Sequence, residues 1–251
     1  MTKPNYFNVA ALAPIIFAGL SAIAIAIPQP NAALAKDIVV ESTGEYAKID
    51  TVLLKEAMTK LRSADKAVRL QEIAEIKGHA DKYAPPVFYL MSNVIFNDAD
   101  KADTSAKDDA AFWFYAGQLR GRFDANRCAD KSARSGIAVL NMEYGGPINR
   151  YMFMQSDLDK IENLVPKVVE WDKTTPHNYD QRWLNLHGMN AMITSLDSED
   201  QAKNNPLSLP QSEWEAIAEK TRADYIAGFN DALKELKAAR SAKPGTKSEG
   251  R

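Results

Sequence analysis

The sequence predicts an all-α fold: a single domain of helical hairpins, about seven or eight helices, following a signal peptide. Three observations predict it. Apolar residues recur at spacings of three and four along most of the chain. Prolines and polar turn clusters interrupt them at helix-length intervals. Apolar runs that suit a strand are few, Ile38-Val39-Val40 being the clearest.

The N-terminus reads as an export signal. Lys3 is the one charge in the first 35 residues, and residues 9–27 are apolar except where Pro14, Gly19 and Ser21 interrupt. A proline-containing stretch then leads to Ala33-Leu34-Ala35, a small-x-small end that fits a signal peptidase, with cleavage after Ala35. No Cys follows the apolar run, which argues against a lipid anchor. Segment 1–35 is therefore assigned as signal peptide, 36–48 as an extended lead-in, 49–240 as the helical domain and 241–251 as a disordered tail.

The helices follow in order. Leu53, Ala57 and Leu61 share one face, flanked by Leu54 and Met58, and Ser63-Ala64-Asp65 ends that helix. A second helix places Ala67, Leu70, Ile73 and Ala74 inward and ends near Gly78. Pro85-Pro86 starts a third, since proline suits the first turn. Residues 87–96 are almost wholly apolar, so that helix is central. Segment 97–109 is a charged loop. Asp98, Asp100 and Asp103 cluster there, but a calcium loop needs a glycine at its sixth position and a closing Glu, so the loop is read as solvated, with a helix cap.

A fourth helix, 109–125, carries Phe112, Ala116, Leu119 and Phe123 in one stripe, widened by Trp113 and Tyr115. It is expected to be buried on more than one side. Arg120 and Asp124, four apart, are expected to pair on its surface, so that Arg120→Ala costs less than about 1 kcal/mol. A fifth helix spans 129–142 and ends at Glu143-Tyr144-Gly145-Gly146-Pro147. Ser156 and Asp159 resemble a capping box before a stripe of Leu158, Ile161, Val165 and Val168, with a kink or restart at Pro166. Segment 172–180 is a turn-rich connection, 183–196 another helix and 197–210 a loop. The last helix opens on a capping box, Ser212 with Glu215, and sustains a stripe from Trp214 to Leu236.

The charges nearly balance, 31 basic against 33 acidic. No basic field exists to attract nucleic acid. The sequence has no G-x-S-x-G, no H-E-x-x-H, no Gly-rich phosphate loop and no Cys pair. His79, His177 and His187 lie too far apart in sequence for one helix to present two imidazoles to a metal. No catalytic residue, metal ligand or cofactor is therefore assigned. Cys128 is expected to be a small buried hydrophobe in a helix.

Two segments carry the candidate binding residues. Arg120, Arg122, Asp124 and Arg127 lie among aromatic residues, where arginines can clamp a carboxylate or phosphate, or can tie helices together in an internal ion-pair network, the favoured reading. Trp171, His177 and Tyr179 belong to an aromatic and polar stretch, 171–180, read as a structural turn or a binding loop.

Residues 84–118 resemble a hairpin of the SEL-like repeats, relatives of the tetratricopeptide repeats. Ala110, Trp113, Phe114 and Gly117 match the pattern of that class's second helix, and Leu90 fits a leucine position in its first. The resemblance implies a helical scaffold that binds protein. In class, the chain also resembles periplasmic immunity proteins that neutralise type VI secretion effectors. The expectation is thus a non-enzymatic, exported, periplasmic protein whose partner is another protein, with neither nucleic-acid binding nor stable membrane insertion after cleavage. The alternative is a hydrolase or other enzyme with an unrecognised helical active site.

Overall fold

The computed structural model describes residues 44–155, 158–191 and 206–242. The signal segment with its cleavage site, residues 36–43 of the lead-in, Ser156 of the capping box and residues 243–251 of the tail lie outside the described residues. So do residues 192–205.

Seven α-helices have both ends within the described residues: α1 (Val52–Leu61), α2 (Lys66–Gly78), α3 (Pro85–Asp98), α4 (Thr104–Arg127), α5 (Ser135–Phe153), α6 (Leu158–Thr174) and α7 (Trp214–Ala242). Short 3-10 turns link several of them, and the β-structure in these residues is one isolated bridge, Cys128 to Ser208. The all-α expectation holds. No helix among the described residues is long and apolar enough to cross a membrane.

The centre is the α3–α4 hairpin. Pro85 and Pro86 occupy the first positions of α3, where their missing N–H groups cost nothing. Val87, Phe88, Tyr89 and Met91 are fully buried along it. The Asp103 carboxylate caps α4 by accepting from Ala106 N at 2.9 Å. Asp98 is bound by Arg69, so two of the clustered aspartates serve the fold. The helix starts at Thr104, five residues earlier than the expected 109, because the Asp103 cap lies nine residues upstream of Phe112, where the aromatic stripe begins. Helices α3, α5, α6 and α7 all pack on α4, which is why both its flanks are buried. Gly117 permits the close hairpin: a Cβ there would stand 3.1 Å from the Tyr89 ring.

Several boundaries depart from the sequence reading. The lead-in ends as a 3-10 turn, Gly44–Lys48, with Tyr46 buried. In α1, Ala57 and Leu61 are buried while Leu53 is exposed. In α2, Ala67, Leu70 and Ala74 face solvent, and Glu72, Ile73 and Ile76 point inward. Lys60 supplies the charge that Glu72 needs there, at 2.9 Å. Helix α6 runs through Pro166 and extends to Thr174, so Trp171 and Asp172 are helical and not part of a connection. The predicted helix at 183–196 opens as a 3-10 turn, Gln181–His187, and residues 189–191, the last described before the gap, are α-helical. Helix α7 starts at Trp214, after a 3-10 turn containing Ser212, so the expected capping box gives way to that turn. Its stripe is as read, with Ala218, Thr221, Tyr225, Phe229, Leu233 and Leu236 buried.

The largest departure is α5, which does not stop at Gly145-Gly146-Pro147 but passes through it to Phe153. Tyr144, Ile148 and Met152 continue the stripe of Ile137 into the core, and their burial outweighs the poor local propensity. The two glycines differ. A Cβ on Gly145 would meet Phe114 Cζ at 2.9 Å, whereas one on Gly146 would meet nothing within 4 Å beyond its chain neighbours. Gly146→Ala is expected to change stability by less than about 1 kcal/mol, because the gain in helix propensity is opposed by crowding of the new Cβ against Pro147. Gly145→Ala is expected to be neutral or destabilising by about 1–2 kcal/mol, as the ring must shift. Thermal melting of the two single variants checks that Gly145→Ala melts no higher than Gly146→Ala.

Candidate functional site: a buried ion-pair core

Below its aromatic turns, α4 carries Arg120 and Asp124 on faces that look into the protein. The residues are 0% and 1% exposed. The expected Arg120–Asp124 surface pair does not form. Arg120 instead donates to three acceptors on other elements: Asp172 Oδ1 on α6 at 3.1 Å, the Ala80 carbonyl at 3.2 Å and the Thr175 carbonyl at 2.7 Å. Its guanidinium also lies 4.3 Å from the centre of the Trp171 ring. The planar fork satisfies separate acceptors in a dry site, and no single partner one turn away matches that.

Asp172 is the hub. Besides Arg120, its carboxylate accepts from Arg222 Nε of α7 at 2.9 Å and contacts His177 Nε2 at 2.9 Å. It thus joins α4, α6, α7 and the following loop. The loop is pinned from its other side, where Asn178 donates through its backbone N–H and side-chain amide to Asp81 at 2.7 and 2.9 Å.

A second cluster surrounds Asp124. Its carboxylate accepts from Arg127 Nη2 at 2.6 Å, Tyr179 Oη at 3.0 Å and Trp183 Nε1 at 2.7 Å. Arg127 is held between the rings of Phe123 and Trp214, 4.2 and 4.6 Å away. The clusters meet where the His177 ring stacks on Tyr179, with centroids 5.9 Å apart. Arg127 and Cys128 then bridge to the segment before α7: Leu209 N donates to the Arg127 carbonyl at 2.8 Å.

Six of the seven sequence candidates, Arg120, Asp124, Arg127, Trp171, His177 and Tyr179, therefore converge. Arg122 does not join them. It projects toward α7, where its guanidinium lies 5.3 Å from the Tyr225 ring. Sequence reasoning missed Asp172 as the hub, although it sits inside the stretch singled out. It also missed Arg222 and Trp183, which become partners only when distant segments pack. Cys128 is buried as expected, but just past the end of α4, its thiol 3.3 Å from Asn185 Oδ1. Burial pushes that thiol up to about 11, which makes it a poor nucleophile.

Burial also sets the other titrations. It pushes the Asp124 carboxyl above its usual value, against the charge of Arg127 and the Trp183 bond. It pushes the Asp172 carboxyl up too, but there the His177 contact and the charge of Arg120 prevail and hold it down at about 2. It lowers His177, despite the Asp172 contact.

Both Asp172 and His177 lie below their unfolded values, so the unfolded chain takes up protons first as the pH falls. Stability is fully present above the unfolded values and lost as pH drops, from about 6.5 for His177 and from about 4 for Asp172. The Asp172 contribution, about 2 kcal/mol, disappears as the pH nears 2. Thermal melts between neutral and acid pH are expected to show two successive declines. His177→Gln should shrink the upper decline to the part due to His187, which burial also lowers, and should move the lower one to higher pH, because the His177 contact helps hold the Asp172 carboxyl down.

Among the described residues no group of three or more His, Cys, Asp or Glu side chains is arranged to hold a metal. No family model matches the chain, and comparison with curated proteins and with solved structures finds no match.

Proposed function

We propose that the chain is a non-enzymatic, exported helical protein of the periplasm that binds another protein, with the ion-pair core as its rigid scaffold. One observation carries the reading. The groups best suited to chemistry, Arg120, Asp124, Arg127 and Asp172, are all buried and bonded to one another or to the backbone. Catalytic groups need a space beside them where a reacting atom can sit. Here neighbouring groups take up their hydrogen bonds: Asp172 is held by Arg120, Arg222 and His177, and Asp124 by Arg127, Tyr179 and Trp183.

Two further features support the reading. The α3–α4 hairpin carries the residues that resemble a protein-binding repeat. Helices α1 and α2 leave the apolar side chains of Val52, Leu53, Val68 and Leu70 exposed to solvent, where a partner can reach them. Export rests on the sequence of residues 1–35, and mass spectrometry of the periplasmic protein is expected to show an N-terminus at Lys36.

The Asp172–His177 contact favours the second reading, a hydrolase, because an oriented imidazole is the usual general base. One experiment separates the two. The immobilised mature protein is exposed to envelope extract, and any captured protein is purified and titrated back by calorimetry. Saturable binding with no turnover of ester, phosphoester, glycoside or peptide substrates is expected. Turnover that is lost in His177→Gln, without reproducible capture, refutes the binding reading.

A further inference from the structure

The α5 helix leaves a face that the fold does not use. Ile137, Tyr144, Ile148 and Met152 bury one side. At 100° per residue, Val139, Met142, Glu143, Gly146, Arg150 and Met154 occupy a stripe about 120° wide on the opposite side. All six lie exposed, with Met142 at 81%, Met154 at 79% and Val139 at 56%.

Gly146 stands out on this face. Packing on Phe114 explains Gly145; Gly146 spares the helix a Cβ against the following Pro147 ring, and beyond its chain neighbours it faces open space. A glycine at such a position lets a second helix backbone come close. Glu143 and Arg150 flank it at nearly equal distances along the helix, with opposite charges. Val139 and Met154 flank it further out, both apolar.

That arrangement is self-complementary. We propose that this face of α5 pairs antiparallel with α5 of a second copy of the chain, about a two-fold axis passing between residues 146 and 147. Residues whose numbers are mirrored about that axis then face each other. Glu143 meets the second copy's Arg150, and its symmetry mate repeats the pair. Val139 meets the second copy's Met154 at both ends, and Met142 covers the side. The backbones approach most closely at Gly146. The facing stretch is about 22 Å long. A contact of one helix face is smaller than a standard interface, so the dimer depends on concentration. The proposal is independent of the partner-binding reading, whose apolar residues lie on α1 and α2.

The test is sedimentation equilibrium of the mature chain, beginning at Lys36, from about 1 μM to about 1 mM. The unaltered chain is expected to pass from monomer to dimer across that range. Glu143→Arg or Arg150→Glu alone places like charges opposite each other twice, and each is expected to raise the dissociation constant at least about tenfold. The double variant E143R/R150E should restore it. Circular dichroism of each variant should be unchanged, since both side chains are exposed. A chain that remains monomeric throughout, a dimer indifferent to Glu143→Arg, or a double variant that does not recover, overturns the proposal.

Discussion

Arg120→Ala is expected to destabilise the protein by about 3–5 kcal/mol, the range for removing one partner of a buried ion pair. The sequence reading, with Arg120 on the surface, put the same change below about 1 kcal/mol. The difference follows from burial. Asp172 would keep Arg222 and the His177 contact but lose its bond from Arg120, and the Ala80 and Thr175 carbonyls would lose their donor. A cavity would open beside the Trp171 ring. Arg120→Lys should recover little, because one ammonium cannot reach the three acceptors with the geometry of a guanidinium. Chemical denaturation of the two variants measures both effects. A loss under about 1 kcal/mol for Arg120→Ala would show that water replaces the guanidinium without penalty, contrary to the dry site described above.

Trp113→Ala is expected to cost a similar amount, about 3–5 kcal/mol, through lost transfer energy and the void left behind. Trp113 sits where α3, α4 and α6 meet, its ring 5.4 Å from both Phe88 and Trp171, centroid to centroid. Its indole N–H donates to Asp109 at 3.2 Å. Trp113→Phe keeps a ring in the cluster and should cost less than half as much. Each alanine change consumes a large share of the roughly 5–15 kcal/mol that holds a domain folded, so both variants should also unfold well below the melting temperature of the unaltered chain. The Trp171 ring touches both Arg120 and Trp113, so the double alanine variant is expected to lose less than the sum of the singles.

Helix positions in the middle of strong stripes were legible in the sequence. The α7 stripe and the α4 stripe both face the core, because a 3.6-residue period leaves few other ways to bury so many apolar side chains. The ends were less legible. Asp103 set the start of α4, and nothing local distinguishes it from Asp98 or Asp100 as a cap. Gly145-Gly146-Pro147 reads locally as a helix stop. Only the fit of Gly145 against Phe114 and the burial of Tyr144 and Ile148 show why α5 continues.

The candidate site divides in the same way. The sequence singled out Arg120, Asp124, Arg127, Trp171, His177 and Tyr179, because arginines among aromatic residues can clamp an anion or tie helices together and an aromatic, polar stretch can form a binding loop. The sequence by itself determined the helical class and the near-neutral charge, since both depend on residue type and spacing along one chain. Which charge meets which was decided only by the tertiary structure. Arg120 bypasses Asp124, one turn away, for Asp172, fifty-two positions on, and Arg222 reaches the same carboxylate from α7. Pairing a buried charge depends on how far its site is removed from water and on which elements close over it, and those are properties of packed helices in three dimensions.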